Sequence, residues 1–341
     1  MSGVEIRVGL LAYGAIGDEH NNAVAATSGL KLAAVCDTKP ERLAAALKIS
    51  PNAKTFTEAN EMLSSGEIDL VVVSTPPNSH FDWAKKALTL NLHVVLEKPM
   101  ALTTAECDEL IALSQKMDKL LVVYQNRRYD LDFLTIKKLI ESDAIGDVFL
   151  FESFVGGYSK PCSYWHSDKE VSGGAIFDWG SHFIDQILAI ISTPVEFVTG
   201  LNQKRVWDHV TNADHAQVTI NFAKGSQAVF INSDLAAVRK PKYFVLGTKG
   251  GITGDWDKAA GDSVADLPAI ITLHHSDGTS EVIKPEQTQN YAFHKSLIDY
   301  LQNKTPMTVQ AKQSRNVVSI MQAAEESALE NGKPVIPNIL K

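Results

Sequence analysis

Residues 173–185, GGAIFDWGSHFID, set four polar groups among apolar ones. Asp178, Ser181, His182 and Asp185 fall at helical spacing on one face, beside Ile176, Phe177, Trp179, Phe183 and Ile184. Buried charge is costly unless it is paired or used. The stripe is therefore either an internal ion pair, a metal site, a satisfied core histidine or a place where a proton moves. A second chemical signature is AYGAIG, residues 12–17, a G-x-G-x-x-G pattern with Ala12 in the first place. Ala15 and Ile16 fill the spacer. Gly14 lets the backbone approach a pyrophosphate, and Gly17 lets the following helix pack closely. The free N–H groups of that helix start suit an anion.

The elements around these residues fit the chemistry. Short apolar runs at 6–13, 30–37, 68–76, 93–99 and 120–126 alternate with amphipathic stretches at 18–27, 39–50, 79–91 and 103–118. Strands buried on both faces between helices predict a doubly wound parallel sheet. Asp37 ends the second strand, where a carboxylate meets the ribose hydroxyls of a dinucleotide. It favours NAD, because a 2′-phosphate would be repelled. Lys39 and Arg42 lie close behind, past Thr38, and would attract that phosphate, so NADP stays open. Ser74, Thr75, Pro76, Asn78 and His80 follow the third strand at the carboxyl edge, although Asn78 also suits a helix cap and His80 a structural histidine. Glu97-Lys98-Pro99 ends the fourth strand and aims a lysine at the same edge. Asn126 and Arg127 follow the fifth.

Past about residue 126 the rhythm changes. A helix at 133–142, a strand at 145–155 and a helix over 173–192 precede β-rich runs of period two, as in an open, mostly antiparallel sheet. Two helices close the chain, near 291–303 and 312–331. A long polar and aromatic loop, 156–174, opens onto the 173–192 helix and offers Tyr158, Tyr164, Trp165 and His166 to a substrate. His274 and His275 with Asp277 read as a hairpin turn.

With 341 residues, two domains are expected, 1–126 and 127–341. A formal net charge of −8 argues against a nucleic-acid partner. Three cysteines, none closely spaced, predict a reduced protein without a disulfide framework. No apolar run reaches the length of a membrane span or of a signal peptide, so a cytoplasmic protein is expected. The open sheet predicts a homodimer or homotetramer.

AYGAIG, STPPNSH, EKPMALT and GGAIFDWGSHFID together resemble the Gfo/Idh/MocA family of NAD(P)-dependent oxidoreductases, across essentially the whole chain. The resemblance implies an N-terminal Rossmann domain and a C-terminal α+β domain that binds substrate and builds the oligomer. It implies a catalytic Lys98 with Asp178 and His182, and no metal. Hydride leaves a secondary alcohol carbon while its hydroxyl loses a proton. Either Lys98 or His182 could accept that proton. His182 is preferred, with Lys98 orienting the oxygen and stabilising charge on it. Asp185 is a helix charge or an anchor for the substrate loop. VYQNRRYDLDFLTIKKLI (123–140) is similar to the scyllo-inositol dehydrogenase branch, several members of which use NADP. Trp165-His166 departs from the Trp-Arg frequent in the family. The implied substrate is a cyclic polyol or sugar, such as an inositol or aldose. The alternatives are a non-catalytic NAD(P)-sensing regulator of the same fold, and an NADPH-dependent ketosugar or aldehyde reductase.

Overall fold

A computed structural model describes residues 5–257 and 267–340. The chain divides into two compact units. One holds the described residues through Gln125 together with Gln289–Arg315, and the other holds Asn126–Thr288 and the residues from Asn316 on.

The first unit alternates strands and helices: β1 (Ile6–Leu11), α1 (Gly17–Ala26), β2 (Leu30–Cys36), α2 (Pro40–Ile49), β3 (Lys54–Phe56), α3 (Ala59–Ser64), β4 (Leu70–Val73), α4 (His80–Thr89), β5 (His93–Leu96), α5 (Thr104–Lys116) and β6 (Leu121–Val123). All six strands run parallel in the order β3-β2-β1-β4-β5-β6. Their apolar character follows from burial on both faces; every residue of β4, Leu-Val-Val-Val, is buried. The strand order reverses between β1 and β4, which makes their carboxyl ends the place where this sheet type takes a ligand. Thr103 and Glu106 close a reciprocal cap on α5, with Glu106 N–H donating to Thr103 Oγ1 and Thr103 N–H to Glu106 Oε2. β3 and α3 were not expected. They are too short, and β3 too exposed, to print a period.

The second unit begins with a tight 3-10 turn, Asn126–Tyr129, and continues through α6 (Leu131–Glu141), β7 (Val148–Gly156), α7 (Lys169–Ser172) and α8 (Gly180–Ile190). Next come β8 (Val195–Gln203), β9 (His215–Phe222), β10 (Gln227–Ser233), β11 (Tyr243–Gly247), β12 (Gly250–Asp255), β13 (Ile270–His275) and β14 (Ser280–Val282). The eight strands form one sheet, β14-β13-β12-β11-β7-β10-β9-β8, antiparallel except where β7 meets β10. Strict alternation of burial along β9 marks one face as core. α8 packs there, with Phe183 stacked on Phe230 at 5.7 Å between ring centroids. β13 and β14 pair as the hairpin that His274, His275 and Asp277 suggested.

Two expectations differ from the observed structure. The helix expected over 173–192 begins only at Gly180, because Gly173 and Gly174 hold φ of 89° and 115° and interrupt it. Asp178 thus lies in the turn that enters α8. The domain division also differs from one boundary at 126/127. Helix α9 (Ala292–Asn303) belongs with the first unit, where Phe293 meets the Tyr124 ring edge-on at 4.8 Å. In the same unit the buried Arg315 guanidinium donates to both Asp108 oxygens at 2.7 and 2.8 Å. Arg315 lies on the last helix, α10 (Ala311–Leu329). Among the described residues no helix is long and apolar enough to cross a membrane.

Candidate active site

At the end of β1 the chain turns through Ala12, whose φ of 71° is the left-handed conformation that the first glycine of the pattern usually supplies. Ala12 N–H donates to Cys36 O at 2.9 Å and Tyr13 N–H to Asp37 Oδ2 at 2.8 Å, so the turn is tied to the end of β2. A Cβ on Gly14 would meet no atom within 4 Å, which leaves the space above it open. A Cβ on Gly17 would lie 2.8 Å from the Tyr13 ring. Gly17 therefore makes room for Tyr13 rather than for the sheet. The Tyr13 hydroxyl, 2.6 Å from Asp18, is pushed up to about 12 by burial and by that carboxylate. Ile16 precedes the first turn of α1, and Ala15 is exposed beside it.

Asp37 is buried. Its Oδ1 accepts from Lys39 N–H at 2.9 Å, and Arg42 Nη1 stands 3.3 Å from Oδ2. Thr38 and Lys39 are exposed next to it. At the carboxyl end of β4 the Ser74 hydroxyl is buried with no hydrogen-bond partner. An open space over Gly14 and an orphaned hydroxyl across the β1/β4 reversal fit a dinucleotide. Thr75 Oγ1 accepts from Ser79 Oγ at 2.8 Å, Pro76 O accepts from the same hydroxyl, and Asn78 is exposed.

His80 differs from the ligand contact expected of it. Its ring is fully buried, with Nδ1 2.7 Å from Pro99 O and Nε2 2.8 Å from Thr75 O. It is a clamp between the loops after β4 and β5, not a group presented to a cofactor. Glu97 is likewise turned inward: Oε1 lies 2.9 Å from His20 Nε2, and Oε2 accepts the Lys98 N–H at 3.3 Å. Lys98 itself is half-buried at the carboxyl end of β5. Gln125 belongs to no motif, so spacing does not mark it. Its Oε1, just past β6, is buried without a partner and would accept an N–H from a bound group.

In the second unit, Asn126 opens the 3-10 turn and Arg127 places its guanidinium 5.4 Å from the Trp179 ring, with Nη1 3.3 Å from Asp130. Gln186 on α8 donates to Arg127 O at 2.9 Å and accepts from the Tyr243 hydroxyl at 3.0 Å, which fixes this turn. Burial pushes the Asp130 carboxyl up to about 6. His182 is buried on the first turn of α8, its ring 5.8 Å from Trp179. Ser181 is structural: its hydroxyl donates to Phe177 O at 2.5 Å. Asp185 is the helix's internal ion pair, both oxygens 2.6 Å from the buried Arg128 guanidinium.

A cavity of about 910 Å³ opens in this unit. Asp178, Tyr158, Tyr164 and His166 line it, while Trp165 stacks behind His166 at 3.6 Å. Asn232, Arg239 and Trp256 also line it, and so does Asp234, just beyond β10. Burial, reinforced by nearby Asp214, pushes the Asp234 carboxyl up to about 6. A lone aspartate after a strand looks like any turn residue, so no motif marks it. Among the described residues no group of three or more His, Cys, Asp or Glu side chains is arranged to hold a metal ion.

Comparisons with known proteins agree with this geometry. Residues 6–125 match the oxidoreductase family with an NAD-binding Rossmann fold, and residues 133–253 match the GFO/IDH/MocA C-terminal domain. The scyllo-inositol 2-dehydrogenase (NADP(+)) IolW of Bacillus subtilis is 28% identical over 95% of this chain and 94% of its own. The uncharacterized oxidoreductase YdgJ of Escherichia coli is 31% identical over 72% of this chain and 70% of its own. An NAD-binding protein from Listeria innocua superimposes with a TM-score of 0.85 at 26% identity, covering 98% of this chain and 97% of that one. The chain belongs to the Gfo/Idh/MocA family of NAD(P)-dependent oxidoreductases.

Proposed function

We propose that the protein oxidises a secondary hydroxyl of a cyclic polyol or sugar with NAD(P). The observation that carries this reading is the cavity of about 910 Å³ that borders Asp178. Its walls mix aromatic faces with carboxylate, amide and guanidinium groups, the combination that holds a ring bearing hydroxyls. The similarity to IolW, a scyllo-inositol 2-dehydrogenase, supports the same substrate class.

The chemistry that a bound nicotinamide would supply is acceptance of hydride from the alcohol carbon, or its return. His182 is the acceptor of the hydroxyl proton, because imidazole changes charge near neutral pH. The Lys98 ammonium holds the substrate oxygen and stabilises the alkoxide character it develops. Asp178 accepts from a neighbouring hydroxyl and fixes the ring. Asp37 alone favours NAD. Its pairing with Arg42, 3.3 Å away, offsets the repulsion and supports NADP, since a guanidinium there is suited to a 2′-phosphate.

Absorbance of reduced nicotinamide, followed over a panel of cyclic polyols and sugars with each nucleotide, tests the reading. Turnover on an inositol or aldose is expected, with the higher kcat/KM on NADP. Lys98→Met and His182→Gln should each lose about 10²–10⁴-fold in kcat and still bind nucleotide. No turnover anywhere in the panel overturns the substrate class; full activity in either variant overturns its role.

A further inference from the structure

Beneath the loop that carries Lys98 runs a file of buried groups that the reaction above does not use. His20 on α1 and His294 on α9 are both sealed from solvent. His20 Nε2 lies 2.9 Å from Glu97 Oε1, and His20 Nδ1 lies 3.4 Å from His294 Nε2. The other Glu97 oxygen accepts the Lys98 N–H. Tyr124 covers both imidazoles, 4.5 Å from His20 and 5.5 Å from His294 between ring centroids. Phe293 and Tyr291 stand against His294 at 5.6 and 6.4 Å. Glu19 also borders the file and accepts from the Tyr124 hydroxyl at 3.3 Å. His294 Nδ1 is buried with no partner.

These contacts decide where the protons sit. The Glu97 carboxylate needs an N–H at His20 Nε2. A neutral His20 then offers a bare Nδ1, and the proton between the rings belongs to His294 Nε2. If His20 were an imidazolium, the shared proton would be its own. The N–H of His294 would then move to Nδ1, where no acceptor exists. A buried N–H without an acceptor is among the rarest features of folded proteins, and a bare lone pair is less costly. Burial pushes His294 down to about 3, which keeps that ring neutral.

We infer that His294 is a positioning residue: its Nε2–H fixes His20 as the Nε2–H tautomer, and His20 holds the Glu97 carboxylate against the backbone N–H of Lys98. The inference rests on the proposed role of Lys98 as the group that holds the substrate oxygen. Misplacement of such a group by about 1 Å costs up to 10²-fold in rate.

Two variants in the full chain separate this role from packing. His294→Gln keeps an amide N–H close to the original Nε2, whereas His294→Phe keeps the ring and loses the donor. Nitrogen-15 NMR of the histidines should show His20 protonated at Nε2 alone at pH 7 in the wild type and in His294→Gln. In His294→Phe, Nδ1 loses its donor, and its nitrogen-15 resonance should move from the wild-type position. Hydrogen exchange at the Lys98 amide should quicken about tenfold in His294→Phe only. Its kcat should drop about tenfold, with the KM for nucleotide unchanged, and His294→Gln should stay near wild type. A doubly protonated His20 in the wild type overturns the inference, as does equal behaviour of the two variants in exchange at Lys98. The tautomer and exchange measurements need no turnover. An inactive wild type with the expected protons therefore counts against the proposed reaction, not against the file.

Discussion

Asp185 and Asp178 are seven residues apart in one stretch of chain, yet their surroundings give them opposite tasks. Asp178 borders a cavity, whereas Asp185 is 1% exposed and pairs with Arg128 through two short contacts. Removing one partner of a buried pair leaves a charge without compensation, which costs about 3–5 kcal/mol. Asp185→Ala should lose stability of that order in urea denaturation. The double change Asp185→Leu with Arg128→Met should recover most of it, because no charge stays behind. If Asp185→Ala unfolds like the wild type but loses turnover, the structural assignment is wrong. The sequence could not separate the two aspartates, since both lie on the stripe that helical spacing draws. The difference is Arg128, 57 residues earlier in the chain. His80 and Glu97 were opaque for the same reason: each is spent on a backbone carbonyl or a distant histidine that spacing does not reveal.

At the scale of elements, the two glycines of the nucleotide loop do different work. Gly14 faces open space and has no left-handed φ, so a methyl group there strains nothing in the protein. That methyl would occupy the room left for a pyrophosphate. Gly14→Ala should therefore fold with its melting temperature within about 2 °C of wild type, a shift of roughly 0.5 kcal/mol or less. Its nucleotide affinity should fall at least about tenfold, equivalent to 1.4 kcal/mol. Gly17→Ala drives a methyl to within 2.8 Å of the Tyr13 ring and should destabilise by about 1–3 kcal/mol, the range for overpacking. Thermal melts with nucleotide titration by fluorescence check both; a Gly14→Ala protein that binds normally would place the pyrophosphate elsewhere. The parallel strands around this loop were legible because burial on both faces leaves uninterrupted apolar runs. The start of α8 was not. Its apolar period continues back through Ile176 and Phe177, while two glycines with positive φ break the backbone ahead of them.

At the scale of the whole molecule, the two units carry opposite acid responses. In the first unit, burial lowers His80, brings His93 to about 4 and His294 to about 3, from an ordinary value of 6.5. A depressed histidine stays neutral in the fold while the unfolded chain takes up a proton. Its contribution is complete above 6.5 and is lost as pH falls toward the folded value. In the second unit, burial raises Asp130 and Asp234 from 3.8 to about 6 and lowers His215. A raised carboxyl holds its proton in the fold longer than in the unfolded chain, so the fold gains stability as pH falls from about 6 toward 3.8. Between pH 7 and 5 the first unit should weaken and the second should hold or strengthen. Hydrogen exchange at the two pH values, corrected for intrinsic rates, reads each unit separately. Amides of β1 and β4 should lose protection at pH 5, and those of β9 and β10 should keep theirs. Equal loss in both sheets would mean that these buried groups do not set the acid response. Asp130→Asn with Asp234→Asn sharpens the test: it removes the offset, so β9 and β10 should then lose protection on acidification as well.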